Sequence, residues 1–295
     1  MSEPGVSPFL DVSVLLEASV PRPRLAWLRF GLAGLALGWV FAWYFGRENP
    51  QTGAAISLLS SVGLAILVGF MAFASLLAAR GLRAERAQLE TIDELTQLRR
   101  WPEAAMMVQG FLLRPARSPV ARAQALLYLA MVLARYHRFE ESVRVHDYIL
   151  QEIPLDDSTS HAVQLGRAMA LLREDNLLDA DRAIAELRRG SRGIESPGLA
   201  LVELYRDVKT GHPAEAIDAF EKQLPAMRRT LGHRLGDAWA LAARGYDLLG
   251  REPEARSAYA NATVLMPLGE LLRRYPDISP LAEKFIPTPA PAEVA

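Results

Sequence analysis

Apolar residues follow two different patterns along this chain. From Phe30 to Gly46 no residue is charged, and with Ala26 to Leu28 the run approaches the ~20 residues a helix needs to cross hydrocarbon. A polar turn follows, Arg47-Glu48-Asn49-Pro50-Gln51-Thr52-Gly53, and Asn49 to Ala79 is again free of charge. Beyond residue 80 the pattern changes. Leu82, Leu89, Ile92, Leu95 and Leu98 recur at helical steps among charged neighbours, which is the pattern of a helix with one buried stripe. The expected class is all-α, with an apolar N-terminal third and an amphipathic remainder.

The first pattern predicts a transmembrane hairpin over 26–79, with spans at about 27–46 and 54–79. Trp27 at one end and Trp39, Trp43 and Tyr44 toward the other resemble interfacial aromatic belts. Small residues recur every four positions: Gly34, Gly38 and Ala42 in the first span, Ser57, Ser61, Ala65 and Gly69 in the second. In lipid such stripes let helices pack backbone to backbone. Arg22, Arg24 and Arg29 precede the hairpin and Arg80, Arg83 and Arg86 follow it, whereas the turn offers only Arg47 beside Glu48. Basic residues stay on the cytoplasmic side, so both termini are expected there. Residues 1–25 read as a mobile tail without the form of a signal peptide.

In the second pattern a turn signature recurs five times: Trp101-Pro-Glu-Ala104, Phe139-Glu-Glu-Ser142, Leu177-Leu-Asp-Ala180, Pro213-Ala-Glu-Ala216 and Glu252-Pro-Glu-Ala255. Its small residue returns after 38, 38, 36 and 39 positions, a period of stacked helical hairpins. The clearest unit runs from Trp239 to Pro267. Trp239, Ala242, Ala243 and Tyr246 share one helical face, Gly250 suits a left-handed C-cap, and Pro253 and Glu254 suit a helix start. Ala255, Tyr259 and Ala262 then form the next inner stripe, and Pro267 ends it. This unit resembles the tetratricopeptide repeat, with Ala242-Ala243 standing for Leu-Gly and Tyr259 for Phe. A second unit (Leu126, Leu129, Ala130, Leu133, Ser142, Ile149, Pro154) is similar, with His146 where the family favours Phe; the others are weaker. The reading is a solenoid of about five such hairpins over 80–286, capped by a helix from Leu268 to Tyr275, with 287–295 disordered.

The resemblance implies a right-handed solenoid whose first helices line a concave groove for extended peptides or partner helices. Counting back equally from the turn signatures puts Arg135, Arg173 and Lys209 at matching places, with Gln124, Leu127, Met131, Leu165, Met169 and Tyr205 sharing the surface. Such a row would grip an acidic peptide or a C-terminal carboxylate. Alternatively, these cations sit where helix C-termini favour positive charge.

Composition narrows the chemistry. Lys and Arg number 33 against 34 Asp and Glu, so no global field points to nucleic acid. Arginine outnumbers lysine 30 to 3, read as GC-rich bacterial coding bias. Without cysteine there are no disulfides or thiolate sites. The five histidines form no i, i+4 pair. The basic tract Arg188-Arg-Gly-Ser-Arg-Gly193 follows a helix, unlike a phosphate-binding loop, and no serine sits in a nucleophile elbow. No enzyme activity, cofactor or metal is expected. The expected function is a membrane-anchored protein–protein interaction scaffold of the bacterial inner membrane, its repeats cytoplasmic, its partners proteins (integral membrane proteins among them) and the bilayer. The alternatives are an accessory subunit docked through the hairpin and a regulatory subunit of an enzyme.

Overall fold

The computed structural model describes residues 11–21, 50–190 and 196–285, with single positions between 31 and 44. At 50–62, 64, 66, 67 and 233 only the backbone is described. Most of the first predicted span, the turn at 47–49 and the tail at 287–295 lie outside the described residues. Every regular element among those described is helical, and no strand occurs. The chain divides into two compact units, Met1–Leu129 and Ala130–Ala295.

The first unit contains α1 (Val12–Ala18), α2 (Pro50–Gln97), α3 (Trp101–Leu112) and most of α4 (Pro119–Arg135). Although 1–25 was expected to be a mobile tail, α1 is packed. The Asp11 carboxylate caps it by accepting from the amides of Ser13 and Val14, and Val12 and Leu15 are buried. Buried Arg122 donates to Ser19 Oγ at 3.1 Å and to the Leu16 carbonyl at 3.0 Å, so the segment is tied down by charge-assisted bonds.

α2 runs unbroken for 48 residues and contains the predicted second span. Among the described residues no helix is long and apolar enough to cross a membrane. In the apolar half of α2, Val68, Phe70, Met71, Phe73, Leu76 and Leu77 are each 47–59% exposed. In its polar half, Leu89 and Ile92 are buried, and α2 packs there against α3. The sequence boundary drawn at 79/80 is therefore not a structural break, because no helix-stopping residue separates the two halves.

The second unit holds α5 (Phe139–Glu152), α6 (Asp157–Arg173), α7 (Leu177–Gly190), α8 (Pro197–Lys209), α9 (Pro213–Thr230), α10 (Leu235–Leu248) and α11 (Glu252–Leu265). Neighbours in sequence pack on each other, and alternate helices α6, α8 and α10 also touch. Trp239 packs edge-on against Phe220, their centroids 5.2 Å apart, while Ala242, Ala243, Tyr246, Ala255, Tyr259 and Ala262 are buried.

Five turns share one geometry. A left-handed residue stands at Arg99, His137, Asp175, Gly211 and Gly250, with φ between 58° and 82°. The next amide in each case reaches back to the carbonyl five residues earlier: Arg100 to Leu95, Arg138 to Leu133, Asn176 to Leu171, His212 to Asp207 and Arg251 to Tyr246, at 2.8–3.1 Å. This is the Schellman closure, which satisfies carbonyls a helix end would leave orphaned. Four residues further on stands the small residue of the signature, its amide making the first bond of the next helix. Ala104, Ser142, Ala180, Ala216 and Ala255 are all buried, since a larger side chain would push the paired helices apart. In four turns the residue preceding the helix bonds the acidic residue three positions on: Arg100 to Glu103, Arg138 to Glu141, Asn176 to Asp179 and Arg251 to Glu254.

The C-terminal segment comprises α12 (Leu268–Arg274), a 3-10 turn (Pro276–Ile278) and α13 (Ser279–Phe285). It was expected as a terminal capping helix over Leu268 to Tyr275. Instead it folds back onto the first helices of the hairpins. Leu271, Tyr275, Ile278 and Leu281 are fully buried in the common core, and Phe285 packs near Tyr259.

Candidate partner-binding surface

Arg135, Arg173 and Lys209 close α4, α6 and α8, and in the second unit all three interact with nearby groups of the same chain. Arg135 pairs with Glu270 of α12 at 3.4 Å. Arg173 donates to the Tyr275 hydroxyl at 3.4 Å and lies 5.4 Å from that ring's centre. Lys209 pairs with Asp175 at 2.6 Å and stands 5.4 Å from the Tyr205 ring centre. The three cations thus stand at matching helix ends, each engaged by a group of the same chain. The C-terminal segment supplies a carboxylate to Arg135 and a phenol to Arg173, and the left-handed turn residue Asp175 neutralises Lys209. Tyr205 and Met169, expected on the groove surface, are buried. Tyr205 meets Tyr275 edge-on at 5.1 Å, the favoured geometry of aromatic quadrupoles. Met131 stays half exposed.

Behind the row is a charge network. Arg274 bonds Glu270 at 3.1 Å and both oxygens of buried Asp237 at 3.2 and 3.3 Å. Burial opposes the charge of Arg274, but Asp237 and Glu270 outweigh it and its pKa is raised. Burial, with Asp237 nearby, pushes the Tyr275 phenol up to about 12. His137 is lowered by burial and by the guanidiniums of Arg135, Arg173 and Arg273. Two carboxylates and two arginines held away from water balance one another, and removing one would strand its partner.

His146 is buried on α5. Its Nδ1 lies 2.7 Å from the Ser142 carbonyl, so the neutral ring donates there and its Nε2 is the acceptor. That Nε2 stands 2.5 Å from where a Cβ on Gly166 would lie; glycine at 166 makes room for the ring where α5 crosses α6. Burial drives the His146 pKa down to about 4. This is a packing histidine. The serine of the same turn donates its hydroxyl to the Ala130 carbonyl at 3.0 Å.

In the first unit a cleft of about 500 Å³ remains open between α2 and α4, lined by Leu82, Glu85, Leu89, Asp93, Gln124 and Tyr128. Gln124 donates to the Tyr128 hydroxyl at 3.2 Å, which donates to Asp93 at 3.0 Å. Thus Gln124 is the one predicted contact residue that lines this cleft. Glu85 accepts the Arg117 amide at 2.8 Å through one oxygen, while its other oxygen is buried without a hydrogen-bond partner.

Among the predicted membrane-packing residues, Gly34, Gly38, Ala65 and Gly69 are exposed. No described atom lies within 4 Å of a Cβ placed on any of the three glycines. The side chain of Ser61 lies outside the described residues. Sequence reading did not foresee that the C-terminal segment packs onto α6, α8 and α10. The signal was present in the spacing of Leu271, Tyr275, Ile278 and Leu281, one apolar stripe that persists across Pro276.

Among the described residues no group of three or more His, Asp or Glu side chains is placed to hold a metal ion. Set against protein-family models, curated proteins and solved structures, the sequence matches none.

Proposed function

We propose that this chain is a membrane-anchored scaffold: a two-span hairpin followed by a tetratricopeptide-like solenoid that holds a protein partner at the bilayer. One observation carries the reading. α2 passes without a break from an exposed apolar half into a polar half that packs as the first helix of the repeat array. Exposed Phe, Met, Leu and Val over several turns are costly in water, and lipid removes that cost. The uninterrupted helix holds the first repeat close to the surface, as a flexible linker would not.

The partner surface in this reading is the open cleft between α2 and α4, not the row Arg135, Arg173 and Lys209, whose groups bind within the chain. That favours an accessory-subunit role in which both the hairpin and the first repeat touch the partner. The reading is noncatalytic, and the regulatory-subunit alternative has no specific observation behind it.

The absence of cysteine makes the test clean. The full chain is expected to stay with bacterial membranes through an alkaline carbonate wash. A single cysteine at Gln51 should react with an impermeant maleimide from outside the cell, and one at Arg189 only after lysis. Release by carbonate would sink the membrane reading; reversed labelling would put the repeats outside.

A further inference from the structure

We infer that the foot of the apolar half of α2 is a docking surface for anionic lipid headgroups, built by Arg80 and Arg83 of α2 with Arg117 of the α3–α4 loop. This rests on the membrane reading and names what the chain recognises there.

The charge-free run ends at Ala79, with Leu76 and Leu77 exposed immediately before it. Arg80 and Arg83 follow, both exposed. The structure adds a third arginine, Arg117, from over thirty residues later. The loop is pinned by its backbone: the Ala116 amide donates to the Ser19 carbonyl at 3.3 Å, and the Arg117 amide to Glu85 at 2.8 Å. The Arg117 side chain then extends toward the apolar end of α2. Its guanidinium lies against Gly81, in the space a Cβ there would take. Glycine at 81 thus lets a distant arginine reach the level at which hydrocarbon would give way to headgroups.

The local charge balance is one-sided. Arg80, Arg83 and Arg117 form no side-chain ion pair among the described residues, whereas Arg86, one turn further from the apolar run, is paired with Glu90 at 3.3 Å. The Glu85 carboxylate accepts from the Arg117 backbone amide at 2.8 Å. Unpaired guanidiniums beside exposed leucines suit a phosphodiester: arginine meets phosphate with paired donors, and the apolar side chains meet acyl chains. Each basic residue near an anionic surface strengthens attraction about fivefold.

The test uses the full chain in mild detergent, titrated with dansyl-labelled phosphatidylglycerol and, separately, dansyl-labelled phosphatidylcholine. Phosphatidylglycerol should bind the more tightly. Arg83→Gln and Arg117→Gln should each reduce that preference by about fivefold. Gly81→Ala should weaken it too, without changing any charge, by displacing the Arg117 guanidinium. Arg229→Gln, an equal charge loss on α9, should leave it unchanged. Equal binding of the two lipids, or a preference untouched by Arg117→Gln and Gly81→Ala, would overturn the inference. Either failure in a chain that still resists carbonate extraction would leave the membrane reading standing; release by carbonate would remove both.

Discussion

The apolar half of α2 and the helix α10 are both rich in alanine, leucine and glycine, yet they meet opposite fates. In α10, Ala238, Ala240, Leu241, Ala242, Ala243 and Tyr246 are buried, covered by α8, α9, α11 and the C-terminal segment. In α2, Phe70, Met71, Phe73, Leu76 and Leu77 are about half exposed. Apolarity states that a side chain leaves water; it does not state what receives it. For α10 the recipient is its own chain. For α2, no described residue covers these side chains.

The strongest way to break that contrast is to remove one aromatic ring from each side. Tyr275→Ala empties a fully buried site beside Tyr205 and Arg173, and should cost about 3–5 kcal/mol in urea unfolding. Phe73→Ala, at 59% exposure, should change unfolding by less than about 0.5 kcal/mol. Equal costs would mean that α2 is covered by protein.

Next in size is a charge on the exposed face. Phe73→Asp should weaken membrane retention by about 3 kcal/mol, read as increased release in carbonate extraction, while the melting temperature of the repeats stays unchanged. A fall in melting temperature without release would assign the face to a folded interface.

The third probe lies inside the second unit. His146 has its folded pKa lowered to about 4 from an ordinary 6.5, so the unfolded chain takes up this proton more readily. Its contribution is fully present above pH 6.5, falls as pH drops below that value, and levels off below about 4. The loss should reach about 3 kcal/mol. His146→Phe should flatten that part of the stability–pH profile; an unchanged profile would assign the acid sensitivity to other groups.

The smallest effects belong to the turns. Arg99 adopts φ 61° with no gain from its side chain to the turn, so Arg99→Gly should stabilise by up to about 1 kcal/mol. Gly250→Ala, at φ 72°, should cost about the same. Opposite signs at equivalent places would confirm that both turns demand one backbone conformation.

Those turns were the most legible feature. The signature residues lie within a few positions of the bonds they form, so composition and spacing near each turn suffice: a small residue behind an acidic helix start implies a close hairpin. The left-handed residues at Arg99, His137 and Asp175 were not foreseen, because positive φ stays uncommon even for Asp and His, which are enriched there, and arginine has no such enrichment. The packed state of α1 was hidden for a related reason. Its anchor, Arg122, is 103 residues from Ser19, and no local rule pairs them.

By itself, then, the sequence determined the helical class, the five-turn repeat and the uncharged run from Asn49 to Ala79. Those follow from periodicity and backbone closure, which act over one or two turns. Only the tertiary structure decided what the cations at the helix ends do. Arg173 and Tyr275 stand 102 residues apart, and they meet because one short apolar stripe folds back onto the packed helices α6, α8 and α10. A charge seeks the nearest counter-charge in space, and only the folded chain sets which groups are near.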